Sequence, residues 1–186
     1  MSDLIVIEFV TMDGVVEDPD GSGGTPGGGW AFLHGPEAVA GDKFGVGPLL
    51  DTGVLLLGRT TWELFAKIWP SRTDEFATKM NNVPKLVASR TLTDLDGWRN
   101  SSLLEGDLVA EARELKARRD VVVTGSISVS RELAEAGLVD EYRLIMFPAV
   151  VGTGRRLFPD RAADLRLSSV EQKGNGALLR YRTASR

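Results

Sequence analysis

The chain has 186 residues, no cysteine, one histidine and a formal net charge of −4. That length suits one domain with a full core and is short for two, so a single domain over 1–186 is expected. The charge argues against general nucleic-acid binding, the absent cysteines exclude disulfide and thiol chemistry, and with His34 as the sole histidine no metal site is expected.

The first element, Leu4 to Val10, reads as a buried strand in which Glu8 is the one charged intrusion. Thr11-Met12-Asp13-Gly14 follows as a turn. From Glu17 to Gly29 the chain is crowded with glycine, proline and aspartate, which predicts a long flexible loop of the kind that acts as a lid. Trp30-Ala31-Phe32 re-anchors that loop on the body or on a ligand. No apolar run approaches the roughly 20 residues of a membrane span. The N-terminus lacks a basic-then-apolar signal pattern, so a cytoplasmic protein is expected.

Ala38 to Leu50 is a helix candidate interrupted by Gly45, Gly47 and Pro48. Val54 to Leu57 is an unbroken apolar run, as in a strand buried on both faces. Gly58 ends it, and Thr60 or Thr61 is expected to cap the next helix, Thr61 to Ile68, with Glu63 completing a capping box. Such a junction presents backbone N–H groups and a helix dipole to an anion, and Arg59 adds positive charge, so it is a candidate phosphate site. Thr73 to Met80 predicts a short helix.

Lys85 to Ala88 is a strand that runs into Ser89-Arg90-Thr91. Asp107 to Arg119 is an amphipathic helix, and Val121 to Val123 is a strand ending at Thr124-Gly125-Ser126. A helix from Ser128 to Ala136 and a strand from Val139 to Met146 follow. Two alternating segments, Leu165 to Gln172 and Ala177 to Thr183, flank Asn175-Gly176 and predict an antiparallel hairpin. This alternation implies an α/β protein with a mostly parallel sheet and antiparallel edge strands.

Ligands of open α/β sheets bind at the carboxyl ends of the strands. Three strand ends here run into turns that together carry Gly58, Arg59, Thr60, Thr61, Ser89, Arg90, Thr124 and Gly125. Two arginines and two helix N-termini suit a dinucleotide with an additional ribose phosphate, favouring NADPH over NADH. A flavin or deazaflavin would use similar turns. No GxGxxG follows the first strand, so the fold need not be of Rossmann type.

The succession TMDG, GRTTWE, ASRT, TGS and GLVDEYRLIMFPAVVGTGRRLF resembles the dihydrofolate reductase-like superfamily over residues 4 to about 183. It is most similar to the branch containing the reductase domain of bacterial riboflavin biosynthesis, RibD C-terminal domain-like. The resemblance implies a three-layer fold, with a central mixed sheet of about eight strands, helices on both faces and a C-terminal antiparallel hairpin. It further implies an NADPH-dependent reductase and a homodimer. By resemblance Gly58, Arg59 and Thr61 hold phosphates, Ser89 and Arg90 handle the adenosine end, and Gly125 and Ser126 admit the pyrophosphate beside Ile127 and Ser128. Asp13 and Asp42 are the catalytic candidates. Asp13 and Trp30 are the candidates for contact with the substrate.

The implied reaction is hydride transfer to a C=N or C=O group of a small heterocyclic or ribosylamino-pyrimidine-like compound. The alternatives are a true dihydrofolate reductase and a non-catalytic nucleotide-binding protein. The Pro-Trp that precedes the acidic helix of folate reductases is missing, and there is no cysteine or histidine cluster of the deaminase kind.

Overall fold

The computed structural model describes residues 2–158 and 163–184. Its elements fall into two compact units that interleave along the chain, Met1–Val6 with Gly45–Val139, and Ile7–Phe44 with Asp140–Arg186. Strand β1 (Leu4–Thr11) starts in the first unit and ends in the second.

The first unit continues through α1 (Gly47–Leu50), β2 (Val54–Gly58), α2 (Arg59–Ile68), α3 (Glu75–Asn82), β3 (Lys85–Ala88), β4 (Ser101–Leu103), α4 (Leu108–Lys116), β5 (Val121–Thr124) and α5 (Ile127–Glu135). Strand β2 pairs in parallel with β3 and with β5, and β3 pairs in parallel with β4. Parallel strands flanked by helices are covered on both faces, which is why Val54 to Leu57 and Val121 to Val123 are apolar without alternation. All seven of these side chains are at most 2% exposed. Each contributes roughly 1.5–3 kcal/mol through burial.

Lys85 is the exception in this core, with no exposed surface. Its ammonium donates to the carbonyls of Asn81, Val83 and Arg99 at 3.3, 2.8 and 3.1 Å and sits 4.3 Å from the Trp98 ring centroid. Three acceptors match its three N–H bonds, so the charge is solvated by the protein. Burial nevertheless lowers its pKa to about 7, with Arg99 adding repulsion.

The second unit holds β6 (Glu141–Phe147), β7 (Leu165–Lys173) and β8 (Gly176–Thr183). Strand β8 pairs antiparallel with both β6 and β7, and the expected hairpin forms, although Gly174-Asn175 rather than Asn175-Gly176 makes its two-residue turn, with Gly174 at φ +55°. Trp30, Ala31, Ala38, Ile145, Phe147 and Leu178 form a buried cluster, with Phe9 and Phe44 packed against it. The eight strands follow the order β4-β3-β2-β5-β1-β6-β8-β7. The molecule thus has the expected mixed, mostly parallel sheet with its antiparallel C-terminal hairpin.

Several local expectations are corrected. The helix expected over Ala38 to Leu50 reduces to a 3₁₀ turn at Pro36–Ala38 and the single turn α1, because Gly41 and Gly45 take φ of +70° and +64°. Helix α2 starts at Arg59, two residues before the predicted start, with Gly58 as an extended N-cap. No side-chain cap and no first-turn acid are present, so the capping box does not form. Strand β4 was not expected, since three residues of sequence Ser-Ser-Leu carry no usable period.

The glycine-rich segment, read from composition as a flexible loop, is tied internally by hydrogen bonds. Asp18, at φ +50°, accepts from Gly23 N (2.8 Å), Thr25 N (2.9 Å) and Thr25 Oγ1 (2.9 Å). Gly29 N then donates to the Asp18 carbonyl at 2.9 Å, so the two ends of the loop meet. A Cβ on Gly28 would lie 2.3 Å from Asp18 Oδ2, which explains the glycine there. The loop is a closed Ω-type structure tied by one carboxylate.

Candidate functional site

Each parallel strand of the first unit ends in a turn, and side-chain hydrogen bonds join three of those turns. The Ser126 hydroxyl, 5% exposed, accepts from Gly58 N at 2.6 Å and lies 3.0 Å from Thr61 Oγ1, to which it donates. That one oxygen ties the β5–α5 turn to the β2–α2 turn. Arg59 Nη1 donates to Thr91 Oγ1 at 3.3 Å, tying the turn after β3 to the same junction. Within that last turn Ser89 Oγ accepts from Thr91 N and Leu92 N at 3.2 and 3.0 Å and so fixes its shape.

Glycine is required where the turns touch. Gly125 has φ +63°, and a Cβ on it would lie 3.2 Å from Thr61 Cγ2. A side chain would therefore meet both backbone strain and its neighbour across the junction. Gly58, by contrast, has an ordinary extended backbone with space for a Cβ 3.4 Å from Ser126 Oγ, and its N–H donates to that hydroxyl.

Helices α2 and α5 begin here, and neither has a side-chain cap or an acid in its first turn. Elsewhere in the unit α3 and α4 are capped by Asp74 and Asp107, which accept from Ala77 N and Ala110 N at 3.0 and 2.9 Å. The contrast is electrostatic. An aspartate neutralises the positive end of a helix, whereas α2 and α5 keep that end available to an outside anion. Arg59, Thr60, Arg90, Gly125 and Ser128 are exposed around it, while Thr61, Thr124, Ser126 and Ile127 are buried and shape it.

The structure therefore brings Gly58, Arg59, Thr61, Gly125 and Ser126 into one constellation. Thr91 joins them through Arg59 and was missed at the level of sequence. Its place directly after Ser89-Arg90 in the third turn was the available signal.

The other candidates sit in the second unit. Asp13 accepts from Thr11 Oγ1 (2.6 Å), Gly152 N (2.7 Å) and Val151 N (3.3 Å), and its own carbonyl accepts from Arg156 Nε (3.1 Å). The Thr11 hydrogen bond, then the one from Gly152, lowers its pKa to about 2, so it is ionised at neutral pH. It ties the turn at 11–14 to the segment 151–156. Trp30 is 2% exposed, donates from Nε1 to the Glu17 carbonyl at 3.0 Å and packs edge-on against Phe147. Asp42 lies half-buried in a bend rather than on a helix.

Glu8 is 5% exposed, and its Oε1 has no partner among the described residues. Burial raises its pKa to about 8 against the opposing pull of Arg155, so at pH 7 it is a neutral acid. Among the described residues no group of three or more His, Cys, Asp or Glu is placed to hold a metal ion. Nor is any helix among them long and apolar enough to cross a membrane.

A family model described as the RibD C-terminal domain matches residues 3–179. The uncharacterized protein YyaP of Bacillus subtilis (strain 168) is 27% identical over 177 residues, 91% of this chain and 87% of that protein. A putative riboflavin biosynthesis protein from Shewanella sp. PV-4 superposes with a TM-score of 0.75 at 21% identity, covering 100% of both chains. A diaminohydroxyphosphoribosylaminopyrimidine deaminase/5-amino-6-(5-phosphoribosylamino)uracil reductase from Thermotoga maritima gives 0.65 at 16% identity. That match covers 98% of this chain but only 57% of the longer protein. A pyrimidine reductase-like protein from Corynebacterium diphtheriae gives 0.60 at 11% identity, covering 100% of this chain and 93% of that one.

Proposed function

The chain belongs to the RibD C-terminal domain family, and on that premise we propose that it is an NADPH-dependent reductase. The acceptor is a C=N or C=O group of a small heterocyclic or ribosylamino-pyrimidine-like compound. The observation that carries this reading is the joining of three strand-end turns through Ser126 and Arg59, at two helix N-termini without side-chain caps.

The donor set fits a phosphate-rich cofactor. N–H groups of the α2 and α5 first turns, the Arg59 guanidinium and the Thr60 and Ser128 hydroxyls all donate, and no carboxylate stands in either first turn. Gly125, at φ +63° and with no room for a Cβ beside Thr61, keeps the β5–α5 turn packed closely against the β2–α2 turn. NADPH, when bound, supplies a hydride from its nicotinamide ring. Arg59 and Arg90 oppose the charge of the additional phosphate, and Ser126 keeps the two glycine turns in register. Asp13 acts as a positioning residue that holds 151–152, because a carboxyl with a pKa near 2 has no proton to give at pH 7. Another acid or an ordered water supplies the proton that accompanies the hydride.

Titration with NADPH and with NADH, followed by nicotinamide fluorescence, tests this reading. We expect tighter binding of NADPH, and a loss of about 1.5–3 kcal/mol in Arg59→Ala or Arg90→Ala, as for a lost charge-assisted phosphate contact. Binding of neither nucleotide would overturn it.

A further inference from the structure

The outer strands of the second unit carry charge in an arrangement that sheet physics disfavours. Registers place Glu141, Arg143 and Ile145 of β6 opposite Arg182, Arg180 and Leu178 of β8. Across the other side of β8, Arg182 faces Arg166, Arg180 faces Ser169 and Leu178 faces Glu171. Residues directly opposite share a face, with Cβ atoms about 5 Å apart. Arg143 with Arg180, and Arg182 with Arg166, are therefore two like-charge pairs on one face, each unfavourable to the fold.

The acids on that face balance only part of this charge. Glu141 holds Arg143 Nε at 2.6 Å and lies 3.6 Å from Arg182, while Glu171 pairs with Lys173. Arg180 shares Glu171 with Lys173, and Arg166 is the excess.

A second feature points the same way. The register slips between Leu167 and Ser169, leaving Ser168 as a bulge. In an unbroken strand Arg166 and Ser169 would face opposite sides. The bulge turns both to the arginine face and sends Leu167 and Val170 to the other. Ser169 and Arg166 are exposed, and the Arg182 side chain is 37% exposed, so the donors reach solvent.

We propose that Arg166, Ser169, Arg180 and Arg182 form a binding site for a compact di- or triphosphate. Guanidinium groups bind phosphate oxygens in pairs, and three of them within one two-strand span match two adjacent phosphoryl groups. The serine hydroxyl adds a neutral donor. This site uses none of the turns assigned to NADPH and does not depend on that assignment.

Calorimetric titration with inorganic pyrophosphate, at low salt and with NADPH present in saturating amount, tests the site. We expect saturable binding that is weakened about tenfold or more in Arg166→Gln and in Arg180→Gln, as loss of a charged hydrogen bond implies. Ser169→Ala is expected to weaken it less. Without ligand, Arg166→Gln is expected to raise the melting temperature by relieving the repulsion from Arg182. Absence of saturable binding, equal binding by the arginine variants, competition by NADPH, or equal affinity for citrate would each overturn the proposal. A fall in the melting temperature of unliganded Arg166→Gln would remove its energetic basis.

Discussion

The two units treat the donors of their glycine-rich turns in opposite ways. In the second unit Asp18 takes the N–H groups of Gly23 and Thr25, and Asp13 takes those of Val151 and Gly152. An internal anion thus closes each turn. In the first unit the turns at Gly58 and Gly125 open helices that no side chain caps. Similar backbone chemistry gives a tied loop where the protein supplies the carboxylate and a receptive one where it withholds it. An exposed N–H costs little stability in water and remains available to a phosphate.

The sharpest way to break the contrast is to install in the first unit what the second already has. Gly58 is extended (φ −84°, ψ 164°), a conformation aspartate adopts as an N-cap, and a Cβ there would lie 3.4 Å from Ser126 Oγ. Gly58→Asp should leave the melting temperature of the free protein unchanged or higher. NADPH affinity should fall about a hundredfold through like-charge repulsion and loss of open donors. Unaltered affinity in fluorescence titration would show that no phosphate sits at α2.

The reverse change comes next in size. Asp18→Ala removes the acceptor of three hydrogen bonds, and the segment 18–29 should become cleavable by protease at concentrations that leave the wild type intact. Acid should act similarly. For Asp18, burial opposes ionisation, but the hydrogen bonds from Gly23 and Thr25 prevail and lower the pKa; Asp13 is lowered to about 2. Both groups favour the folded state above the ordinary carboxylate pKa near 3.8, and each contribution is lost as pH falls through that group's lowered pKa, about 2 for Asp13. Proteolysis of the segment 18–29 that does not rise as the pH falls below the ordinary carboxylate range would contradict the Asp18 tie.

The smallest effect is the internal control. Asp107→Ala uncaps α4 and should lower stability by about 1 kcal/mol in urea unfolding. NADPH affinity should stay the same, since α4 has no part in the joined turns. A drop in affinity would mean that helix capping in general, rather than two open helix ends, governs binding.

Much of this was legible in the chain. The apolar runs at Val54 to Leu57 and Val121 to Val123, the hairpin around Gly174 to Gly176 and the glycines at the ends of β2 and β5 carry their structure in local pattern. The Gly-Arg-Thr-Thr junction was legible as a strand end opening a helix, but its contacts were not. Thr61 reads as a helix cap, yet its hydroxyl lies against Ser126, 65 residues away in sequence. The segment from Glu17 to Gly29 reads as flexible because composition reports what cannot form a helix or strand. It does not report that Asp18 will gather the backbone around itself.

By itself, the sequence determined most of the strands and helices, apart from the broken stretch Ala38 to Leu50 and the short β4, and with them the order of parallel and antiparallel segments and which turns would carry glycine, hydroxyl and arginine. Those properties follow from side-chain period and backbone steric limits within a few residues. Only the tertiary structure decided which turns meet, through Ser126 on Gly58 and Thr61 and through Arg59 on Thr91. It alone set the bulge that turns Ser169 toward Arg166 and the opposition of Arg182 and Arg166 across two strands. Register and contact depend on how distant segments pack together, and no local period encodes that choice.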